Sequence, residues 1–169
     1  MNKEIERKFL VKEEFWKWLF SQKDIQIKRI EIDQSYLSYN PEIRVRRIIR
    51  ENKEWIKKAC ITIKSNNENL IRDEFEYSIP FEDASKIWGS HNNFAVGKDR
   101  YVFRYKGKTW EVDSFNGFNS GLSIAEIELG SEDEEFELPP GIGEEVTEDE
   151  RYYNSYLSKN PYRDWSKGK

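Results

Sequence analysis

Apolar and polar residues alternate with period 2 through most of the chain, starting almost at its first residue. In "EIERKFLV" (Glu4–Val11), Glu4, Glu6 and Lys8 fall on one side of an extended strand and Ile5, Arg7 and Phe9 on the other. The alternation returns in Ile27–Tyr39, Glu42–Glu51, Glu54–Ser65, Leu70–Ile79 and Leu122–Gly130, and in a hairpin over Gly97–Phe115 that turns at Lys106–Gly107–Lys108. Asn40–Pro41 and Asn52–Lys53 supply two further turns, and Asn66–Asn69 a loop. Helical patterns are short. Glu13–Gln22 carries Phe15, Trp16, Trp18, Leu19 and Phe20, too many large apolar residues for a helix free in solvent. A second helix opens at Pro80, runs through Ser85 to Trp88 and stops at Gly89. A third, around Arg151–Lys159, follows an acidic stretch and the breakers Pro139–Pro140–Gly141. The pattern predicts an α+β fold, mainly antiparallel β, whose roughly eight strands suffice to close into a barrel with flanking helices.

The two faces differ in kind. Same-parity positions gather Glu4, Glu6 and Lys8; Arg44 and Arg46; Thr62 and Lys64; Arg72, Glu74 and Glu76; Lys98 and Arg100; Glu111 and Asp113; and Glu126 and Glu128. The opposite parity is largely apolar, for example Ile43 and Val45, Ile61 and Ile63, and Ile127 and Leu129. An amphipathic sheet normally turns its polar face to water. Here that face is made of ions two residues apart with few Ser, Thr or Asn between them. If the sheet closes with the charges inward, it encloses a passage lined by carboxylates and cations together.

Composition narrows the chemistry. Charged residues make up 36% of 169 residues and nearly balance, leaving a net charge of −4, which disfavours nonspecific nucleic-acid binding. No signal-peptide core and no run of about 20 apolar residues is present, so the expectation is one cytoplasmic domain over residues 1–169 with no nucleic-acid or membrane partner. Cys60, the single cysteine, excludes an internal disulfide and reads as a packing residue, and His91 is the single histidine. A zinc centre is poorly supplied by these residues, so any metal falls to carboxylates, which suit magnesium or manganese.

The order of these motifs resembles the CYTH superfamily, the triphosphate tunnel metalloenzymes. "EIERK" (Glu4–Lys8) is similar to the family's ExExK signature. "EIRVR", "TIKS", "RDEFEY", "KDRY", "WEVD", "AEIEL" and "GEEVTEDERYYN" follow in the family's order across nearly the whole chain. The resemblance implies an eight-stranded antiparallel tunnel that binds a triphosphate and a divalent metal, Mg2+ or Mn2+. Carried over position by position, it makes Glu4, Glu6, Glu126 and Glu128 the metal side, because a hard dication takes several anionic oxygens at once. Glu74, Glu76, Glu111 and Asp113 match further acidic tunnel positions, with a role left open between metal, water and charge balance. Lys8, Arg44, Arg46, Lys64, Arg72, Lys98 and Arg100 would bind substrate, offsetting the desolvation of about four negative charges.

The reaction implied is in-line attack of water on a terminal phosphoryl group, with Lys64 and Lys98 as the lysines to share general-base duty. Inorganic tripolyphosphate is the first expectation for the substrate. Nucleoside or thiamine triphosphate hydrolysis, class IV adenylate cyclase activity and a noncatalytic polyphosphate-binding module are the alternatives, since one scaffold carries several reactions. No segment reveals a purine or thiazolium pocket, and helix packing accounts for Trp16, Trp18 and Trp88. The tail implies a C-terminal helix, about residues 150–159, near one mouth of the tunnel, with Thr147 and Glu150 at capping-box spacing.

Overall fold

The computed structural model describes residues 5–65, 73–91 and 94–168. Among them nine strands form one antiparallel sheet: β1 (Ile5–Val11), β2 (Lys28–Tyr39), β3 (Glu42–Glu51), β4 (Glu54–Lys64), β5 (Glu74–Ile79), β6 (Ala95–Tyr105), β7 (Lys108–Phe115), β8 (Ser123–Leu129) and β9 (Ile142–Glu145). Their order is β5-β4-β3-β2-β6-β7-β8-β1-β9. Three α-helices accompany them: α1 (Glu13–Ser21), α2 (Phe81–His91) and α3 (Asn154–Lys159). Turn chemistry holds the meander in register. Lys106 and Gly107 take φ of 49° and 80° in the two-residue β6–β7 turn, the conformation a type I′ hairpin requires. At the β3–β4 turn the Asn52 side chain accepts from the Arg29 amide at 3.0 Å, which ties that hairpin to β2.

Several expectations are corrected. Among the described residues the sheet has nine strands, not eight, and no hydrogen bonds close it: its ends are β5 and β9. The ninth strand is four residues long, too short to show a period, and it joins β1 through Phe9↔Glu145 and Val11↔Ile142 with a register irregularity between them. Helix α2 runs through Gly89 to His91; Gly89 is exposed and keeps a negative φ, so it costs only about 1 kcal/mol of propensity and stops nothing. The C-terminal helix is split into a 3₁₀ turn, Glu150–Tyr152, and α3. Its first turn is capped by Asp149, whose carboxylate accepts from the Arg151 amide at 3.1 Å. The Thr147–Glu150 capping box is not formed: Thr147 Oγ1 accepts from the Lys8 amide at 3.0 Å and so extends the pairing of β1. Of the strand expected over Leu70–Ile79, Leu70–Arg72 lie outside the described residues.

The apolar face is covered by helices. Phe15 and Leu19 of α1 are fully buried with Phe9, Phe103, Trp110, Val112, Ala125 and Ile127, and Trp16 and Trp18 pack against this cluster. Ala84 of α2 closes a second cluster over Val45 and Ala59. At the other face α3 contributes Leu157 to a cluster with Val96, Phe115, Leu122 and Ile124. No helix among the described residues is long and apolar enough to cross a membrane.

Gly141 fixes the seat of α1. Its φ is +84°, its carbonyl accepts from the Lys12 amide at 2.9 Å, and a Cβ there would lie 2.4 Å from the Phe15 nitrogen. Strain and overlap act together, so Gly141→Ala is expected to lower the unfolding free energy by on the order of 3 kcal/mol, measured as a fall in urea midpoint at unchanged m-value.

Candidate functional site

Register carries one face of charges through the whole sheet. Glu6 stands opposite Glu128 and Lys8 opposite Glu126. Glu111 faces Glu126, and Asp113 faces Arg100. Across the sheet, Arg46 is opposite Gln34, Arg44 opposite Thr62, and Lys64 opposite Glu74. This face is concave: the charge of Lys64 on β4 acts on Glu6 of β1, six places along in strand order. Its ions are also buried, with Lys8 7% exposed, Lys98 1%, Asp113 0% and Glu126 8%, which no solvated strand face would show.

Four strands share one gradient. Reading along this face, β1 gives Glu6, Lys8, Leu10; β8 gives Glu128, Glu126, Ile124; β7 gives Glu111, Asp113, Phe115; and β6 gives Arg100, Lys98, Val96. Partly exposed ions at the rim give way to buried ions and then to an apolar floor, which α3 closes through Leu157. At the rim lies a cavity of about 720 Å³ lined by Glu6, Lys108, Glu111, Glu126, Glu128 and Glu134 among others.

Below the rim the charges are paired. Lys8 Nζ donates to Glu126 Oε1 at 2.7 Å and lies 2.8 Å from Glu6 Oε1. Burial works against the Lys8 ammonium, but Glu126 and Glu6 outweigh it and hold its pKa above the ordinary lysine value. Burial likewise raises Glu6, yet Lys8, with Lys64 and Arg100 further off, brings it below the usual carboxylate range. Asp113 accepts from Lys98 Nζ at 2.7 Å and from Arg100 Nε and Nη2 at 2.7 and 3.0 Å. Against the desolvation of a fully buried carboxyl, these two cations depress its pKa strongly. Arg100 also reaches Glu111 at 2.7 Å and Glu126 at 3.7 Å. Lys98 is pushed down to about 8 by burial, with Arg100 and Arg46 opposing the help of Asp113 and Glu126.

The opposite wall is different. Among the described residues neither Arg44 nor Arg46 forms an ion pair, and Arg44 Nε is buried without a hydrogen-bond partner. Burial and the neighbouring Arg44 and Arg100 push Arg46 down to about 10. Lys64 lies 3.9 Å from Glu74, and Glu76 accepts from Thr62 Oγ1 at 3.2 Å. The site therefore has an acidic side on β1, β7 and β8 and, on β3, two arginines that form no ion pair among the described residues, although Tyr36, Glu42 and Glu74 near Arg44 raise its pKa.

Of the residues singled out by sequence, the structure brings together Glu6, Lys8, Lys98, Arg100, Glu111, Asp113 and Glu126 in one ionic network, with Glu128 opposite Glu6. Glu4 and Arg72 lie outside the described residues. Glu74 and Glu76 sit on exposed β5, apart from that network. Among the described residues no three carboxylates converge closely enough to hold a metal as they stand. The oxygens of Glu6 and Glu126 are engaged by Lys8. The donor set nonetheless suits a hard dication, since Glu6 against Glu128 and Glu111 against Glu126 put carboxylates directly opposite one another, with positive charge beside them here from Lys8 and Arg100. Sequence reasoning missed Gln34, Tyr36 and Asn154, neutral residues within the charged face, and it read Cys60 as packing although Cys60 stands opposite Arg46 on that same face.

The CYTH domain model matches residues 2–161. An inorganic triphosphatase of Acetivibrio thermocellus is 40% identical over 98% of this chain and 99% of its own length. One of Nitrosomonas europaea is 34% identical over 92% and 96%. A crystal structure of an inorganic triphosphatase superposes with a TM-score of 0.67 at 32% identity, covering 94% of this chain and 96% of the other.

Asp113 is the network's keystone, and its removal tests that network. Asp113→Asn leaves the buried Lys98 without its paired carboxylate and Arg100 with Glu111 and Glu126 alone, and is expected to cost about 3–5 kcal/mol of unfolding free energy near neutral pH. The folded pKa of Asp113 is depressed, so its contribution is present above the unfolded value of about 3.9 and is lost as pH falls below it. The gap between wild type and variant should therefore narrow in urea titrations run from about pH 6 to about pH 3.

Proposed function

Because the chain belongs to the CYTH family, we propose that it hydrolyses the terminal phosphoanhydride of inorganic tripolyphosphate with a divalent cation, magnesium or manganese, inside the charged concavity. The observation that carries this reading is the division of the concave face into opposed carboxylates and half-buried arginines that form no ion pair among the described residues. An anion binder alone would have no use for Glu6, Glu111, Glu126 and Glu128. A metal binder alone would have none for Arg44 and Arg46. The inorganic triphosphatase relatives support the same substrate class. In this reading the whole chain acts as one CYTH domain, the sheet's two ends approach to complete the tunnel around substrate, and a reducing compartment such as the cytoplasm suits the free Cys60.

Roles follow from charge and access. Glu6, Glu126 and Glu128, with Glu4, would hold the cation, which when bound supplies neutralising charge to the phosphate oxygens. Arg44, Arg46 and Arg100 bind the polyphosphate; guanidinium forks match phosphate oxygens and stay charged even when buried. Lys8 adds positive charge on the acidic side, and Arg72 is a further substrate-binding cation of the reading. Lys64, 25% exposed in its side chain, has room to meet a water and position it for in-line attack. Lys98, enclosed by Asp113 and Asn154, holds charge beneath the substrate. Glu74, Glu76 and Glu111 orient water or balance charge.

Phosphate release from tripolyphosphate, ATP and thiamine triphosphate with magnesium or manganese tests the reading. Tripolyphosphate should have the highest kcat/KM. Glu6→Gln and Glu128→Gln should each lower it on the order of 100-fold, the equivalent of several kcal/mol of lost transition-state charge stabilisation. Metal-dependent release from none of the three, or cyclic AMP as the product from ATP, would sink it. Arg46→Met separates binding from stability. It should weaken tripolyphosphate binding by roughly 10- to 100-fold in calorimetry, while unfolding free energy falls by only about 1–3 kcal/mol, the cost of leaving the enclosed Gln34 Oε1 without its Arg46 donor.

A further inference from the structure

The first residue of α3 brings a neutral amide to the floor of the charged face. Asn154 Oδ1 accepts from Lys98 Nζ at 3.0 Å and from Gln34 Nε2 at 3.5 Å. Gln34, fully enclosed, accepts from Arg46 Nε at 2.8 Å through its own Oε1. The direction of this relay is forced. Arginine has only donors, so the Gln34 oxygen must face Arg46 and its NH₂ must face Asn154. Asn154 must then turn its oxygen to both donors. One chain of hydrogen bonds thereby joins β3, β2, α3 and β6, and reaches Asp113 on β7 through Lys98.

The neutrality of this amide matters. Lys98 is faced by Asp113 from β7, Glu126 from β8, Arg46 from β3 and Arg100 from its own strand. Asp113 already serves both Lys98 and Arg100. A second carboxylate at the floor would offset positive charge that a polyanion needs, and an apolar residue would leave a Lys98 donor and the Gln34 amide unsatisfied. An amide oxygen orients the ammonium and leaves its charge intact.

We propose that Asn154, acting with Gln34, is a positioning residue: it holds the Lys98 ammonium and the Arg46 guanidinium in one arrangement, so that the C-terminal segment sets the aim and net charge of the cations meeting the polyphosphate. The inference rests on the tripolyphosphatase reading, and its test separates the two.

The full chain is compared as wild type, Asn154→Asp and Asn154→Leu, with Asn154→Ser in place of the leucine variant if that does not fold. The first readout, NMR titration of the Lys98 side-chain nitrogen in the free protein, needs no activity. The midpoint is expected to rise by at least about one pH unit in Asn154→Asp, where a carboxylate comes beside the ammonium, and to fall in the leucine or serine variant, where the amide acceptor is lost. The second readout is steady-state hydrolysis of tripolyphosphate with magnesium. Both variants should lose kcat/KM by roughly 10- to 100-fold, as expected of misaimed binding groups, and Asn154→Asp should show the larger rise in KM. Equal Lys98 midpoints in all forms overturn the proposal, as do shifted midpoints with kcat/KM unchanged within about twofold in an active wild type. The expected order of midpoints with no phosphate release from any form upholds the positioning and defeats the hydrolase reading instead.

Discussion

The Asp113 carboxylate, wholly buried between Lys98 and Arg100, is the contact on which the charged interior depends. Removing an ion from water costs several kcal/mol even after relaxation, and two cations side by side add repulsion. One carboxylate with three short hydrogen bonds meets that cost for both. Arg100 draws further on Glu111 and Glu126, so that Asp113 can serve Lys98 as well. Arg46 has no carboxylate of its own among the described residues. The wall of Arg44 and Arg46 thus carries positive charge with no ion pair among the described residues, and the side of Glu6, Glu111, Glu126 and Glu128 carries the opposite sign.

Such an interior needs support from outside it. The stabilisation comes from the other face of the same strands, where α1 seals Phe9, Phe103, Trp110 and Ile127 beneath Phe15 and Leu19. Buried apolar area at roughly 25 cal/mol per Å² is what a sheet with one ionic face has available to fold on. The strict alternation follows from this division of labour. A one-residue slip in any strand would exchange ions for core residues, so register is specified twice over.

That alternation is also why so much could be read from sequence. The pairs Glu126 and Glu128, Lys98 and Arg100, and Arg44 and Arg46 stand where period 2 puts them, and the limits of β3 and the β6–β7 turn fall where turn residues mark them. Curvature is another matter. Period 2 assigns faces but says nothing about whether a sheet's ends meet, and the nine-stranded open order was not legible. Nor was β9, whose four residues are too few to show a period. Thr147 and Glu150 have capping-box spacing, but the Lys8 amide offered Thr147 a better partner 139 residues away. Gln34 and Asn154 escaped for a different reason: in a face scanned for charge, neutral residues give no signal, although their hydrogen bonds connect the ions.

The charge gradient bears on how a substrate could enter. With α3 and its apolar cluster closing the floor, the rim is the wide approach, and a polyphosphate arriving there meets carboxylates before it meets arginines. A bare anion of about four charges would be repelled at that point, because like charges in a partly desolvated cavity are screened poorly. Bound to a divalent cation it carries about half the charge, and the cation's remaining sites suit the same carboxylates. On the proposed reading, metal dependence is then a property of entry as well as of chemistry. On that reading the rim would admit phosphate in company with a cation, Arg44 and Arg46 beyond it would draw the phosphate chain inward, and the carboxylates would retain the metal.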